Sequence, residues 1–258
     1  MKFNIRLKRK PIFVLAPMKC EHNYLDDMLC KKRTRIIGDF KFTIGHIDKY
    51  PVVIGESLIG MVNSALTTSF GIKAFKPKVV IVTGTSGAHN PKLHQNDIVL
   101  GKDMVEIGSY VSGKRLEGEG SNISGYVFPG IEVADLTPNK ELKISRQEIM
   151  HSDEKLINIA KSVPYESGKL IVGTHGSGDV WNNEIDVINY LYEHRHTDVE
   201  EMEDFAVARV CKIHSIPVLA IRVVSNSAHY PNEVFNENCA MCCQKYTLDV
   251  IKKIIRSK

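Results

Sequence analysis

No stretch of this sequence is apolar for long enough to cross a bilayer. A spanning helix needs about 20 consecutive apolar residues, and the candidate near the start, PIFVLAPM at residues 11–18, is far shorter. The basic residues before it give it the look of a signal-peptide core. No small-x-small cleavage site follows, however; Lys19, Cys20, Glu21 and His22 do. A buried first strand in a soluble, cytoplasmic protein is the expectation, with no membrane partner. Charge of one sign is also scarce. The formal net charge is +4, much of it in two tails, residues 2–10 and 252–258. So small a charge, carried at chain ends, reads as solvated surface and leaves no footprint for nucleic acid. Linkers, composition shifts and internal repeats are missing too, so the 258 residues are read as one domain, long enough to bury a large core.

Cysteine is present but lacks the spacing of a metal site. Cys20, Cys30, Cys211, Cys239, Cys242 and Cys243 are read as free thiols of a reducing compartment. Cys239-Ala-Met-Cys242-Cys243 contains a C-x-x-C with no second ligand pair nearby. On a terminal helix its i, i+3 and i+4 positions share one face, which reads as small hydrophobes facing the core, with no metal and no cofactor implied. The histidines are scattered, and His194 and His196, at i and i+2, do not share a helix face and read as surface residues.

What the sequence does contain is an alternation of buried strands and helices. IFVLA (12–16) reads as the first strand, and residues 35–44 and YPVVIG (50–55) as two more. Residues 60–75 have helical spacing. KVVIVT (78–83) is a β-branched run of the kind buried on both faces, DIVLG (97–101) a short strand, and GKLIVGT (168–174) and PVLAIRVV (217–224) repeat the buried pattern. Residues 200–214 and 242–255 read as helices. Residues 105–146 are rich in Gly, Ser, Pro and charge, and read as a long excursion over the strand ends. The expected class is α/β: a central mixed, mostly parallel sheet flanked by helices.

In such sheets ligands bind beyond the carboxyl ends of the strands. Four small polar or glycine clusters stand there: residues 18–21, Gly84-Thr85-Ser86-Gly87, residues 176–183 and Ser225-Asn226. Singly, each could be a turn; together they point to a site.

In chain order these segments resemble the methylthioadenosine/S-adenosylhomocysteine nucleosidases and their nucleoside phosphorylase relatives. APMKCEH (16–22) is similar to that family's A-M-x-x-E, and VVIVTGTSGAHNPKLHQNDIVLG (79–101) to its N-T-G-S-A-G-G segment closing with G-D-I-V. GTHGSGDVWNN (173–183) resembles S-G-D-x-F, and EEMEDFAVARVCKIHSIPVLAIRVVSNSA (200–228) resembles V-E-M-E-x-x-A followed by V-R-x-I-S-D. The resemblance runs from residue 12 to about residue 230, apart from the middle excursion. It implies hydrolysis of the N-glycosidic bond of a purine nucleoside, a small-molecule partner, no cofactor, and a homo-oligomer, with a dimer favoured.

It also implies roles. Glu21 matches the catalytic glutamate that polarises the attacking water; a carboxylate at a strand end in a closed pocket can have its pKa raised to suit that task. Taken by itself it would read as a surface glutamate beside His22. Glu203 matches the glutamate that accepts hydrogen bonds from the ribose hydroxyls, since a carboxylate can accept two and a vicinal diol offers two. Met202 matches a sugar-packing methionine, Trp181 stands where the family has a base-stacking Phe, and Thr85, Ser86 and Gly87 match the turn that holds nucleophile or sugar. Arg222 matches an arginine with an electrostatic role near the carboxylates. Glu200 and Glu201, just before, leave exposure of some of these charges plausible.

Two positions depart from the pattern. Hexameric phosphorylases place a phosphate-binding arginine where this chain has Val82, and no arginine neighbours residues 84–87 in sequence, which favours water as nucleophile. Lys114-Arg115 or a neighbouring subunit is the alternative source of one. The nucleosidases also have aspartate where this chain has Asn226, and the resemblance places Asn226 beside Glu21 as a catalytic residue, facing the leaving base. An amide donates a hydrogen bond but not a proton, and loss of general-acid help costs about 10²–10⁴ in rate. The alternatives are a 6-oxopurine or pyrimidine substrate, a phosphorylase, or a catalytically weak nucleoside-binding paralogue. Asp204 replaces a small residue, and a helix would turn it about 100° from Glu203.

Overall fold

The computed structural model describes residues 7–137 and 139–257. Residues 2–6 of the basic tail, and Lys258 of the other, lie outside the described residues. The elements run β1 (Ile12–Ala16), α1 (Asn23–Met28), β2 (Cys30–Ile37), β3 (Phe40–Ile47), β4 (Tyr50–Glu56), α2 (Met61–Phe75), β5 (Val79–Ala88) and β6 (Ile98–Glu106). There follow β7 (Ile131–Leu136), β8 (Leu142–Gln147), β9 (Ile149–His151), α3 (Glu154–Lys161), β10 (Leu170–Ser177), α4 (Ile185–Arg195), β11 (Val199–Glu201), α5 (Asp204–Ile213), β12 (Val218–Ser227) and α6 (Cys239–Arg256).

The expected α/β class and mixed sheet are observed. The main sheet has the order β11-β10-β6-β12-β5-β1-β4-β3-β2, with β9 added beside β6. β1 lies parallel to β4 and β5, and β12 parallel to β5. β12 meets β6 antiparallel. β11 pairs with β5 as well as β10, so five strands close into a ring, β5-β12-β6-β10-β11. Closure sets β11 antiparallel against the carboxyl end of β5, whose other neighbour there is the carboxyl end of β12.

The apolar runs fill both faces because side chains alternate along a strand. Ile12, Val14, Ile81, Leu219 and Ile221 face one core with Leu156 of α3 and Val250 and Ile251 of α6. Phe13, Leu15, Val80, Val82 and Ala220 face the other, with Ile72 and Phe75 of α2 and Phe205 and Ala208 of α5. Each fully buried side chain of this size contributes about 1.5–3 kcal/mol. Helix α2 comes close enough that a Cβ on Gly71 would stand 2.5 Å from the Phe13 ring. Gly71→Ala would gain about 0.5–1 kcal/mol of helix propensity. It would lose about 1–3 kcal/mol to overpacking against a ring that is itself fully buried. The net expected result is a lower melting temperature, and a higher one would show that Phe13 can give way.

Several boundaries differ from the sequence reading. Residues 35–44 are not one strand: β2 and β3 form a hairpin that turns at Gly38, whose φ of 62° suits glycine. Residues 84–87 continue β5 as strand instead of making a turn. The excursion at 105–146 carries a hairpin of its own, β7 paired with β8. Residues 200–214 are not all helix. Val199–Glu201 form β11, and α5 begins only at Asp204.

Cys239 and Cys243 face the core, as the helix spacing predicts, while Cys242 is half-buried. Burial pushes the Cys243 thiol up to about 11, so it stays protonated. His194 and His196 are exposed, as expected.

Candidate active site

Strands β5, β11 and β12 of the ring, with residues 180–182 after β10, deliver side chains to one cavity of about 220 Å³. After β1 the chain makes a single turn of 3-10 helix, Lys19–Glu21. That turn swings Glu21 back under β5, where it is 1% exposed. Its Oε1 accepts hydrogen bonds from the Thr85 backbone N–H at 2.7 Å and the Thr85 hydroxyl at 2.8 Å. Its Oε2 accepts from Met18 N at 2.9 Å. His22 is also buried, between Asp26 and Glu56. The surface reading of this pair is therefore overturned.

Glu203 reaches the same cavity from the turn between β11 and α5 and is 3% exposed. Its Oε1 accepts from Gly60 N at 3.0 Å, at the start of α2, where the helix N-terminus favours negative charge. Its Oε2 accepts from Arg222 Nη2 at 2.9 Å. Arg222 also approaches Glu21 across Gly84: a Cβ on Gly84 would stand 2.8 Å from both Arg222 Nη1 and Glu21 Oε1. Only glycine leaves room for that approach. Burial pushes the Glu203 carboxyl up to about 7; Arg222 pulls it down, and Glu21 pushes with burial.

Arg222 is 1% exposed and fully engaged. Nε donates to Asp204 Oδ1 and Oδ2 at 3.1 and 3.2 Å, and Nη1 to Thr85 O at 3.0 Å. Nη2 reaches Glu201 Oε2 at 3.1 Å and Asp204 Oδ1 at 2.5 Å as well as Glu203. Burial would lower its pKa, but Asp204, Glu201 and Glu203 outweigh it and hold it charged. Asp204 does not line the cavity and also meets His175 Nδ1 at 2.7 Å. Burial alone would raise its carboxyl; Arg222 and His175 bring it below the usual range. Glu201 Oε2 accepts from the N–H groups of Glu203 and Asp204 at 2.6 and 2.7 Å, capping α5. Ser177 donates to the other Glu201 oxygen.

The exposure expected for some of these acids is thus corrected. Glu200, Glu201, Glu203 and Asp204 are 7%, 4%, 3% and 0% exposed. A run of four acids within five residues reads as a solvated helix start. Here Glu201, Glu203 and Asp204 are buried over one arginine, Arg222, while Glu200 is held by Asn182.

The remaining expected residues all line the cavity: Thr85, Ser86, Gly87, Trp181, Met202 and Asn226. The Thr85 hydroxyl donates to Glu21, and the Ser86 hydroxyl donates to Val223 O at 3.1 Å. Met202 is half-buried. Trp181 is 58% exposed and sits edge-on to Phe235, with ring centroids 5.7 Å apart. Asn226 Oδ1 accepts from the Ser225 hydroxyl at 2.9 Å, and Gly87 lies against its amide nitrogen. Phe235, His89, Asn182 and Glu200 also line the cavity and were missed in the sequence. No periodicity marks them; Phe235 is a lone aromatic in the polar loop PNEVFNEN.

Lys114-Arg115 supplies no phosphate site in the cavity of this chain. Arg115 is absent from the cavity wall and bonds to the carbonyls of Glu119 and Gly120. Arg222, though beside Gly84 in space, has every nitrogen committed to protein acceptors.

The comparisons agree with this architecture. The chain is 29% identical over 247 residues to a 5'-methylthioadenosine/S-adenosylhomocysteine nucleosidase of Bacillus subtilis, covering 93% of this chain and 98% of that protein. The nucleosidase of the same description from Neisseria meningitidis, solved with methylthio-immucillin-A, superposes with a TM-score of 0.76. It is 23% identical, over 95% of this chain and 99% of the other. Futalosine hydrolase of Helicobacter pylori superposes at 0.74 with 21% identity, covering 94% of this chain and 97% of the other. The model of the phosphorylase superfamily matches residues 16–256. A match running from the end of β1 to the last turn of α6, over a cavity built at the strand ends, makes this chain a member of the phosphorylase superfamily.

Proposed function

We propose that this protein hydrolyses the N-glycosidic bond of a purine nucleoside, in the manner of the methylthioadenosine/S-adenosylhomocysteine nucleosidases. The observation that carries the reading is the meeting of two carboxylates from opposite ends of the chain. Glu21 and Glu203 line one cavity; Arg222 bonds Glu203 directly and reaches Glu21 only by way of Thr85, which donates to Glu21. Cleavage passes through an oxocarbenium-like sugar and needs an activated water on one face. Glu21 takes a proton from that water. Glu203 accepts from the ribose hydroxyls, with Met202 packed beside the sugar and Thr85, Ser86 and Gly87 beneath it. Trp181 stacks on the base, and Asn226 donates to it. Arg222 holds the carboxylates in place and keeps their charge tolerable. The absence of an uncommitted arginine among the described cavity residues supports water over phosphate.

The test is incubation with methylthioadenosine, S-adenosylhomocysteine, inosine and uridine, each with and without phosphate. Release of free adenine without phosphate is expected. Phosphate-dependent release would replace hydrolysis by phosphorolysis, and silence across the panel would leave only a binding role. Asn226 favours a second reading, a 6-oxopurine substrate, because an amide N–H suits an oxo group. Asn226→Asp separates the two. An ionised carboxylate accepts from an exocyclic amine but repels a carbonyl, so the ratio of adenine to hypoxanthine release should rise by about tenfold or more. An unchanged ratio would mean that this residue does not face the purine edge.

A homodimer is part of the proposal. Leu58, Ile59, Val62 and Leu66 are 52%, 49%, 70% and 46% exposed at the start of α2, and Ile59 lines the cavity. A second copy of the chain would cover this apolar surface. No helix among the described residues is long and apolar enough to cross a membrane. The free cysteines fit a reducing, cytoplasmic setting.

A further inference from the structure

A second polar cluster sits at the other end of the cavity from Glu21. Here β5 runs between β12 and β11, and Gly87 pairs with Asn226 on one side and with Glu200 on the other. Cross-strand partners project to the same face of a sheet. With no side chain on Gly87 between them, Asn226 and Glu200 both reach the cavity. His89 follows just past the end of β5 and is 1% exposed. Its Nδ1 meets the Thr197 hydroxyl at 2.8 Å. Its Nε2 stands 3.3 Å from Glu200 Oε2 and has no hydrogen-bond partner among the described residues. Glu200 is clamped in turn by Asn182, whose backbone N–H is 2.8 Å from Oε1 and whose amide donates to Oε2.

A buried imidazole nitrogen without a partner calls for an explanation. The reaction offers one. A purine leaves poorly as an anion, and Asn226 cannot give it a proton. An imidazole beside a carboxylate can. His175 is not available for this: its Nδ1 faces Asp204, its Nε2 lies 3.1 Å from Val99 O, and it is not part of the cavity wall.

We propose that the His89–Glu200 pair supplies the proton taken up by the departing base, while Asn226 orients that base. The proposal rests on the hydrolase reading given above. As the C1′–N bond breaks, its electron pair stays on the base nitrogen. The Nε2 proton of His89, held opposite Glu200 Oε2, passes to a ring nitrogen of the base. The water oxygen bonds to C1′ and its released proton goes to Glu21. One water is consumed, the base departs protonated, and exchange with solvent discharges Glu21 and recharges the pair. Asn182 and Thr197 are positioning residues, fixing the carboxylate and the ring.

The test compares two leaving groups on one sugar. The nucleoside needs a proton on its base. The corresponding 4-nitrophenyl glycoside does not, because nitrophenolate departs as a stable anion. His89→Gln and Glu200→Gln should each lower nucleoside turnover by about 100-fold or more, and lower glycoside turnover at least tenfold less. The groups around the His89 ring are Glu200 on β11, Asp198, whose carbonyl takes the His89 N–H, and His229, whose ring donates to the His89 carbonyl. Equal losses on both substrates would reveal structural damage alone and overturn the proposal, as would undiminished nucleoside turnover in folded Glu200→Gln. Failure of the unaltered protein to release base from any nucleoside would instead defeat the hydrolase reading.

Discussion

Replacing Glu21 by Gln should cut nucleoside turnover by about 10²–10⁴ while leaving the nucleoside bound. The substitution keeps the shape but leaves one acceptor oxygen where two were used. Glu21 takes two donors from Thr85 on Oε1 and one from Met18 on Oε2. The amide therefore turns an N–H towards Met18 N–H or towards Thr85. A mispaired buried group of this kind costs about 1–3 kcal/mol. Domains have about 5–15 kcal/mol in hand, so the protein stays folded and the loss of rate is chemical. Single-turnover kinetics beside a binding titration check this, and full activity in the variant would remove Glu21 from the mechanism.

A second consequence has a defined sign. Burial is the main cause that raises Glu203 to about 7, and the charge of Glu21 adds to it. In Glu21→Gln that addition goes, so Glu203 ionises at a lower pH. An ionised Glu203 is the better acceptor for two ribose hydroxyls. Nucleoside affinity should therefore persist to lower pH in the variant than in the unaltered protein, as Kd measured against pH would show.

Replacing Arg222 by Met should produce the largest loss of stability of any single change at the site. Removing one partner of a buried ion pair costs about 3–5 kcal/mol, because the other charge is left uncompensated. Here three carboxylates lose the same partner. For a chain of this size, about 2–4 °C of melting temperature accompanies each kcal/mol, so a drop of about 10 °C is expected at neutral pH. The drop should shrink on acidification. Without Arg222, the main opposition to burial at Asp204 and Glu203 is gone, leaving His175 and the Gly60 N–H, and their folded-state pKa values rise. A carboxyl raised in this way destabilises the fold as pH climbs through its folded pKa and ceases to do so below its unfolded one. Melting curves from pH 5 to pH 8 would show the two proteins converging at the acid end. A constant gap across that range would mean that the carboxylates do not take up the lost charge.

Much of the site was legible because strand ends carry their own signature. KVVIVT followed by Gly-Thr-Ser-Gly, and LAIRVV followed by Ser-Asn, announce buried strands that stop at a polar rim. The residues expected there, from Glu21 to Asn226, do line one cavity. Burial of the acidic run was not legible. VEE has too few residues to show a strand period, and the acids that follow look like the first turn of a helix. Nor was His89, whose partners Thr197 and Glu200 lie more than a hundred residues away.

The sequence by itself determined most of the strands buried on both faces, because a continuous apolar run puts side chains on each face and both must be covered; β10 is the exception, with Val172 37% exposed. It also determined which residue types stand where those strands stop. Only the tertiary structure decided which charges share a cavity. β11 closes the ring against β5, and that closure carries Glu200 to Asn226 and Glu201 to Arg222. Burial of a charge depends on a partner across space, not on neighbours along the chain.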